Sequence, residues 1–395
     1  MGFFIGGICV MMVHFMREIH EIDTLEAYLE RKHKLRDCVV QGLNLGDVDM
    51  DWDLVEVSGA IFLGCRFPSL AFQERLREGG ALVFPRLPRL PYEVYRPALY
   101  TRDELADGWT EEIDLSIDKK IYEHFVKQGR HNTHILEALA QRLHDFSIDD
   151  ALGDLLSGRV EPGGPKKVVA IMGGHSTART DPWFRVVAEI ARDLTRKGYF
   201  IASGGGPGMM EAANLGAWVA NAPDGMLDEA IEIMKVAPRY LDHGYIQTAE
   251  TVRKRHPDGS SSLAIPTWFY GHEPSNAFST WIAKYFSNSI REDGLLSIAE
   301  YGVIFSPGSA GTVQEIFQDA TQNHYGTFGQ VSPMVFLNKS HYTQSGIFPT
   351  LKKLAGDRQY SGFISMADDP AEVVSFIESH PPVLFQDKKP LPVPS

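Results

Sequence analysis

The sequence is poor in cysteine and in basic residues. Its three cysteines, Cys9, Cys38 and Cys65, match neither a disulfide framework nor a zinc-site spacing. Lysine and arginine number 38 against 51 aspartates and glutamates, so the net charge is −13. Nucleic acids and anionic membranes are bound through basic surfaces, and this acidic balance argues against both partners. We therefore predict a reduced, cytoplasmic protein that binds neither nucleic acid nor membrane.

The chain also lacks an apolar run of the length that spans a membrane. Residues 2–16 are apolar, but they include His14 and fall short of the roughly 20 residues that a spanning helix needs. No lysine or arginine precedes this stretch, as a signal peptide requires, and Gly6 occupies the place of a myristoylation-site serine or threonine. We expect a true translation start at Met11, Met12 or Met16; a packed N-terminal strand or helix and a membrane anchor are the alternatives.

Two common nucleotide-binding motifs are absent. The chain has no G-x-x-x-x-G-K-[ST], which disfavours a P-loop NTPase. Gly204, Gly206 and Gly208 alternate, but Met209 stands where a dinucleotide fingerprint needs glycine, so hydride transfer gains little support. No histidine pair has the spacing of a metal site on a helix face, and we predict neither a metal nor another cofactor.

Residues 1–165 are predicted to form an accessory region of mixed α/β structure. We expect a helix over residues 23–36, an irregular proline-rich segment over 84–97 and helices within 101–157. Apolar residues recur every five positions over 38–67, a pattern typical of a short pentapeptide-repeat coil. Two ordinary strands joined by a turn are the favoured alternative. The sequence leaves open whether this region regulates, caps or oligomerises the rest of the chain.

Residues 160–167 contain two prolines and two glycines and mark a domain boundary. Beyond it, strand patterns at 168–172, 199–202, 263–269, 303–305, 334–337 and 363–365 alternate with helical patterns, among them 182–196, 209–220 and 275–289. This alternation predicts an α/β fold over residues 166–381: a Rossmann-like, doubly wound parallel sheet with helices on both faces. A proline-rich tail, 382–395, follows. Ligands of such sheets bind at the carboxyl ends of the strands.

Glycine-rich turns follow three of the predicted strands. They are Gly173–Ser176, Ser203–Gly208 and Pro307–Thr312. A turn of this kind before a helix binds anions, because free backbone N–H groups and the helix dipole point at it. Since all three fall at the carboxyl ends of parallel strands, we expect them to converge on a phosphate site.

Two of these turns resemble the signature loops of the LOG family. The first runs SGGGPGMMEAANLGA from Ser203, and the second runs SPGSAGTVQE from Ser306. The family's P-G-G-x-G-T-x-x-E pattern is met at Pro307, Gly308, Gly311, Thr312 and Glu315. Ser309 departs from it, because the family usually has glycine there. Arg291 stands where the family has an arginine, but Glu292 replaces the lysine that usually follows. The resemblance covers residues 166–381.

The resemblance implies a homodimeric enzyme that hydrolyses the N-glycosidic bond of a nucleoside 5′-monophosphate such as AMP, releasing free base and ribose 5-phosphate. Glu315 would be the catalytic carboxylate, and Arg291 its ion-pair partner or a contact to ribose or phosphate. The phosphate and ribose would be held by Gly308, Ser309, Ala310, Gly311, Thr312, Gly204, Gly205, Gly206 and Gly208. Other substrate contacts would come from Gly173, Gly174, His175, Ser176, Met209, Glu211, Glu273 and Asn276. A nucleotide-binding or sensing module without turnover is the alternative, because Ser309 and Glu292 depart from the family's usual residues.

Several of these residues also have a purely structural interpretation. Thr312 and Glu315 have the spacing of a capping box, in which the glutamate satisfies backbone donors at a helix start. Glu211 falls in the first turn of a helix, where the dipole favours a carboxylate. His175 could be an ordinary turn residue, and Asn276 a helix cap.

Overall fold

The computed structural model describes residues 16–87, 89–272 and 276–386. They divide into two compact units. The first unit consists of the chain up to Ala98 together with Leu139–Ser147. The second unit consists of Leu99–Ala138 and the chain from Ile148 onward. Residues 2–15 of the apolar N-terminal stretch, and the tail beyond 386, lie outside the described residues. Within the described part, no helix combines the length and apolar character needed to cross a membrane.

The first unit contains a sheet of four short parallel strands in the order β1-β2-β3-β4. Its elements are β1 (Arg17–Ile19), α1 (Ile22–Lys32), β2 (Cys38–Gln41), a 3₁₀ turn (Trp52–Leu54), β3 (Ile61–Leu63), α2 (Leu70–Glu78) and β4 (Leu82–Phe84). Cys38 lies opposite Arg17, Ile61 opposite Val39 and Leu82 opposite Ile61, so a strand recurs about every 22 residues, as in a solenoid.

Residues 38–67 do contain two strands, β2 and β3, as the favoured alternative expected, but a single turn does not join them. The two strands there are parallel, and parallel strands need a crossover rather than a hairpin turn. Five of the six positions of the five-residue period are buried: Val40, Leu45, Val55, Ala60 and Cys65. The sixth, Met50, is partly buried against the same core. A helix or 3₁₀ turn nevertheless interrupts each coil, and the two helices bury Leu25, Leu29 and Leu76 in the same core.

The second unit begins with three helices, α3 (Arg102–Ala106), α4 (Ile117–Lys127) and α5 (Ile135–Leu156), the last of which also contributes Leu139–Ser147 to the first unit. Most of residues 99–165 therefore groups with the α/β domain, not with the accessory region to which it was assigned. Buried polar contacts explain why. The Asp118 carboxylate accepts hydrogen bonds from Trp268 Nε1 (2.7 Å) and Lys284 Nζ (2.8 Å), and Asp149 accepts one from the Tyr285 hydroxyl (2.8 Å).

The core of the second unit is a seven-stranded parallel sheet in the order β12-β11-β9-β5-β6-β7-β8. Its strands are β5 (Val168–Met172), β6 (Phe200–Ser203), β7 (Leu263–Ala264), β8 (Trp281–Ile282), β9 (Val303–Phe305), β11 (Met334–Leu337) and β12 (Ile364–Ala367). β10 (Gln330–Val331) pairs antiparallel with β13 (Val383–Leu384) in a separate two-stranded sheet.

Helices cover both faces of the seven-stranded sheet, which confirms the predicted doubly wound α/β fold. They are α6 (Pro182–Arg196), α7 (Met209–Trp218), α8 (Met226–Met234), α9 (Tyr245–Arg255), α10 (Asn288–Ser297), α11 (Ala310–Tyr325), α12 (Lys339–Gln344), α13 (Ile347–Ala355) and α14 (Pro370–Ser379). All five residues of β5 are buried, as expected for a strand covered on both sides.

One predicted helix is wrong. Residues 276–287 do not form a helix; they include the edge strand β8, and α10 begins only at Asn288. The Trp281 and Ala283 amides donate to the carbonyls of Ser262 and Ala264, at 3.1 and 2.9 Å. Pairing with the free edge of β7 therefore overrides the local helical pattern.

Candidate functional site

The sheet order places β5 beside β9, although the two strands are far apart in the chain. From β5, the chain builds β6, β7 and β8 on one side, then returns to build β9, β11 and β12 on the other. The β5–β9 border is thus the point where strand order reverses. In open α/β sheets, ligands bind in the crevice outside the carboxyl ends of the strands at such a point.

The turns after β5 and β9 contact each other directly. The Gly174 amide donates to the Pro307 carbonyl (3.1 Å), and Ser306 Oγ donates to the Met172 carbonyl (2.8 Å). A Cβ at Gly308 would collide with Thr312 Oγ1 and would lie 3.2 Å from the Gly174 amide nitrogen. Only glycine fits at position 308 without displacing the neighbouring turn.

The turn after β6 joins the same group. The Met209 amide donates to the Gly174 carbonyl at 3.1 Å. Gly208 has φ +69°, and a Cβ there would lie 2.5 Å from the Gly174 oxygen. Gly204, Gly205 and Gly206 are buried in the same turn. The three glycine turns therefore do converge, because parallel strands deliver their carboxyl ends to one edge.

The amino terminus of α11 opens onto this crevice. Ser309 is the N-cap and makes no side-chain capping hydrogen bond. The amides of Ala310, Gly311 and Thr312 follow in the first turn, where amides have no partner within the helix. Apart from its chain neighbours and the adjacent backbone of α11, no atom lies within 4 Å of a Cβ built at Gly311. Ser309 has φ −102°, so its backbone does not require the glycine that the LOG pattern has there.

Arg291, from α10, is oriented by three groups in the crevice. Its Nε donates to the Ile265 carbonyl (2.8 Å), its Nη2 to the Gly204 carbonyl (3.4 Å) and its Nη1 to Glu315 Oε1 (3.4 Å). The two side chains are only 11% and 13% exposed. The structure therefore pairs the two residues named as catalytic candidates beside the glycine turns.

The Glu315 carboxyl lies in an unusual environment for an acid. Burial raises its pKa, the Arg291 guanidinium lowers it and nearby Glu292 raises it, with a net shift above the ordinary value. A carboxyl whose pKa is moved towards neutrality suits proton transfer. The capping-box interpretation is wrong, because Ser309 is the N-cap and Glu315 lies beyond the first turn of α11.

Glu292, which replaces the family's usual lysine, faces the neighbouring helix. It accepts hydrogen bonds from Asn288 Nδ2 (2.6 Å) and from Gln314 Nε2 (2.7 Å). Its negative charge therefore lies beside the residue that precedes Glu315, whereas a lysine would place a positive charge there.

Glu211 was named as a substrate contact, but its carboxylate is used inside the protein. Arg179 Nε and Nη2 donate to its two oxygens, at 2.8 and 2.5 Å, and the Tyr245 hydroxyl donates at 2.7 Å. Arg179 Nη1 also donates to Thr248 Oγ1 at 2.9 Å. Sequence reasoning missed Arg179, because nothing local distinguishes it from a surface arginine.

Asn276 likewise belongs to an internal network. Its Nδ2 donates to the Met210 carbonyl (3.1 Å) and to Asn214 Oδ1 (2.9 Å), and its Oδ1 accepts from the Phe278 amide (3.0 Å). It is neither a helix cap nor an available ligand contact. Glu273 lies outside the described residues.

His175 and Ser176 are exposed at the end of the first turn. The His175 ring lies 6.4 Å from that of Tyr240. Among residues 16–87, 89–272 and 276–386, no group of three or more His, Cys, Asp or Glu side chains could hold a metal ion.

No protein-family model matches the chain, and no curated protein matches its sequence. Solved structures do show similarity. One is the molybdenum cofactor binding protein from the phototrophic bacterium Rippkaea orientalis (14% identity, covering 55% of this chain and 98% of that chain, TM-score 0.34). Another is TM1055 (19% identity, 54% and 99%, TM-score 0.34). A third is the molybdenum cofactor carrier protein from Chlamydomonas reinhardtii (13% identity, 54% and 97%, TM-score 0.33).

Proposed function

We propose that this protein hydrolyses the N-glycosidic bond of a nucleoside 5′-monophosphate, releasing free base and ribose 5-phosphate. The observation that carries the proposal is the Glu315–Arg291 pair, 3.4 Å apart and mostly buried, beside the amino terminus of α11 and the three glycine turns. A carboxylate next to an anion site is the minimum that cleavage of a phosphorylated riboside requires.

The phosphate would bind at the start of α11. The first-turn amides of that helix and its dipole favour a dianion there, and Gly311 leaves its backbone open to close approach. The protein as a whole carries a net charge of −13, so a phosphate needs a local arrangement of this kind. Arg291 is held by two backbone carbonyls, which orients its remaining donor capacity towards the crevice.

The reaction breaks the bond between C1′ and the base nitrogen, whose electron pair leaves with the base. Water attacks C1′, and its oxygen becomes the anomeric hydroxyl, which keeps one of the two protons. The other proton passes to Glu315 and then to the departing base, which restores the carboxylate. Positive charge develops on the ribose ring as the bond lengthens, and a carboxylate stabilises such an oxocarbenium-like state. Glu315 would orient the water and accept its proton, while Arg291 would hold Glu315 or contact the ribose hydroxyls or phosphate.

The test is incubation of the purified protein with AMP, GMP, CMP, UMP and a cytokinin riboside monophosphate, followed by chromatography of released base and ribose 5-phosphate. We expect Glu315→Gln to lower turnover by about 10²- to 10⁴-fold, the usual contribution of a positioned acid or base. Glu300→Gln, at an exposed position after α10, is the matched control and should keep the wild-type rate. Absence of base release from every substrate would refute the proposal for these nucleotides.

A nucleotide-binding module without turnover is the second candidate. Glu292 favours it, because this residue puts a carboxylate rather than the LOG family's usual amine beside Gln314. Calorimetric titration with AMP separates the two candidates. Binding without release of base, in both wild type and Glu315→Gln, would support the module and exclude the hydrolase.

A further inference from the structure

A second concave site lies in the α/β unit. It is a pocket of about 220 Å³ formed by α3, residues 109–118, the loop before α9 and His272. Trp109 and Tyr240 provide aromatic surface, and Asp114 and His272 provide polar groups. Pockets for drug-sized ligands occupy about 300–1,000 Å³, so this one suits a fragment the size of a nucleobase rather than a whole nucleotide.

The wall formed by residues 107–117 is held in place by its own hydrogen bonds. Trp109 and Asp114 form an antiparallel bridge, and the Leu115 amide donates to the Gly108 carbonyl at 3.2 Å. Gly108 has φ +88°, and a Cβ there would collide with the Leu115 carbonyl oxygen. The Ile117 amide donates to the Asp107 carbonyl at 3.0 Å, which closes the loop at its base. The pocket therefore has a preformed wall and needs little ordering on binding.

The polar wall presents an oriented carboxylate. Asp114 Oδ1 accepts from the Ser116 amide (3.0 Å), and His272 Nε2 lies 3.1 Å from Asp114 Oδ2. Burial raises the pKa of Asp114, but the hydrogen bonds from Ser116 and His272 outweigh burial and hold the pKa below its usual value. Each carboxylate oxygen has two lone pairs, so Asp114 retains acceptor capacity for a ligand donor.

His272 also carries a buried ring nitrogen. In the described part of the chain, its Nδ1 is buried without a hydrogen-bond partner, 3.9 Å from Asp118 Oδ2. The ring itself is fixed, because it stacks on Tyr122 with centroids 5.7 Å apart. Stacking on Tyr122 and the hydrogen bond with Asp114 together fix the orientation of the imidazole.

Two contacts connect this pocket with the glycine turns. Ile246 lines both the pocket and a smaller cavity whose wall includes Gly206 and Pro207, from the turn after β6. Tyr240 lines the pocket and has its ring 6.4 Å from that of His175, from the turn after β5. The pocket thus shares a lining residue with a cavity at one turn, and one of its aromatic side chains lies near a residue of another turn.

We propose that this pocket is the base subsite, and that it selects bases with an exocyclic amino group. The proposal rests on the proposed nucleotide chemistry. Trp109 and Tyr240 would contact the faces of the base, since aromatic side chains stack on any base. Asp114 only accepts hydrogen bonds. The amino groups of adenine, cytosine and guanine can donate to it, whereas uracil and hypoxanthine have no amino group and would have to reach it with a ring N–H. Residues 102–118, outside the region that resembles the LOG family, would thereby determine substrate choice.

The first experiment uses free adenine as the probe and saturation-transfer NMR as the readout, and it needs no turnover. We expect adenine to bind the wild type, and Trp109→Ala to weaken binding about tenfold or more, as loss of a stacking aromatic does. Trp109→Phe keeps an aromatic face and should restore most of the binding. Asp114→Asn should also weaken binding, whereas Asp107→Asn, in the same segment but exposed, should not. Adenine binding that is equal in all these folded variants would overturn the subsite.

The second experiment compares hydrolysis of AMP and CMP with that of UMP and IMP. In the wild type, we expect a lower KM for the amino-bearing pair, and Asp114→Asn should remove that preference with little change in kcat. Base release with an unchanged preference in Asp114→Asn would overturn the subsite and leave the proposed function standing. Adenine binding that depends on Trp109 and Asp114, with no hydrolysis of any nucleotide, would refute the proposed function and leave the subsite standing.

Discussion

Asp319 should make the protein less stable as the pH rises. Its side chain is buried in α11, one turn after Glu315, and its Oδ2 has no hydrogen-bond partner among the described residues. Its Oδ1 accepts a hydrogen bond of 3.3 Å from Asn323 Nδ2. Burial raises the pKa of this carboxyl from 3.8 to about 8. The folded protein therefore holds the acid form near neutral pH, whereas the unfolded chain holds the carboxylate.

The sign and size of the effect follow from this difference. The pKa of Asp319 is higher in the folded than in the unfolded state. The stabilisation that its carboxyl contributes is therefore fully present below pH 3.8 and is lost as the pH rises through about 8. Each pH unit in that window costs about 1.4 kcal/mol. Between pH 5 and pH 8 the loss is at most about 4 kcal/mol, and relaxation around the carboxylate reduces it, so we expect about 2–4 kcal/mol.

The assay is urea denaturation of the wild type and Asp319→Asn at pH 5, 6, 7 and 8. Asparagine is of nearly the same size and stays neutral, so the variant should gain stability over the wild type steadily across this series. Asp357→Asn, at an exposed position, is the control and should give a difference that does not change with pH. A constant difference for Asp319→Asn would refute the argument, because the carboxyl would then have the same pKa in both states.

Three further predictions concern the candidate site. Activity should fall as the pH drops through the pKa of Glu315, with its midpoint above the ordinary value of 4.5; a midpoint at or below 4.5 in a pH–rate profile would contradict this. Gly308→Ala should destabilise the protein by about 1–3 kcal/mol, because its Cβ meets the first turn of α11, whereas Gly311→Ala should keep or slightly raise the melting temperature; equal melting temperatures of the two variants would contradict the steric argument. Arg179→Met should cost about 3–5 kcal/mol, because it leaves Glu211 buried without its cation, and adding Glu211→Leu should recover part of this loss in urea denaturation.

Local sequence patterns determined the main architecture of the second unit. The apolar run Val168–Met172 and the amphipathic stretch Pro182–Arg196 have the predicted bounds. The hydrophobic period of a strand or helix can be recognised from residues close together in the chain. The convergence of the glycine turns also followed from sequence, because parallel strands must place their carboxyl ends together. The pairing of Arg291 with Glu315, by contrast, was expected only from the resemblance to the LOG family.

Only the tertiary structure decided how individual polar side chains are used. Glu211 and Asn276 have sequence positions typical of ligand contacts. Their side-chain polar atoms nevertheless form hydrogen bonds with buried partners from distant segments. The strand at Trp281–Ile282 exists because β7 offers a free edge, which no local pattern reveals. Residues 102–118 join the α/β unit for a comparable reason: Asp118 is satisfied by Trp268 and Lys284, more than 140 residues away. Burial forces a polar group to find a partner wherever the fold supplies one, so such pairings depend on the complete fold and not on neighbouring residues.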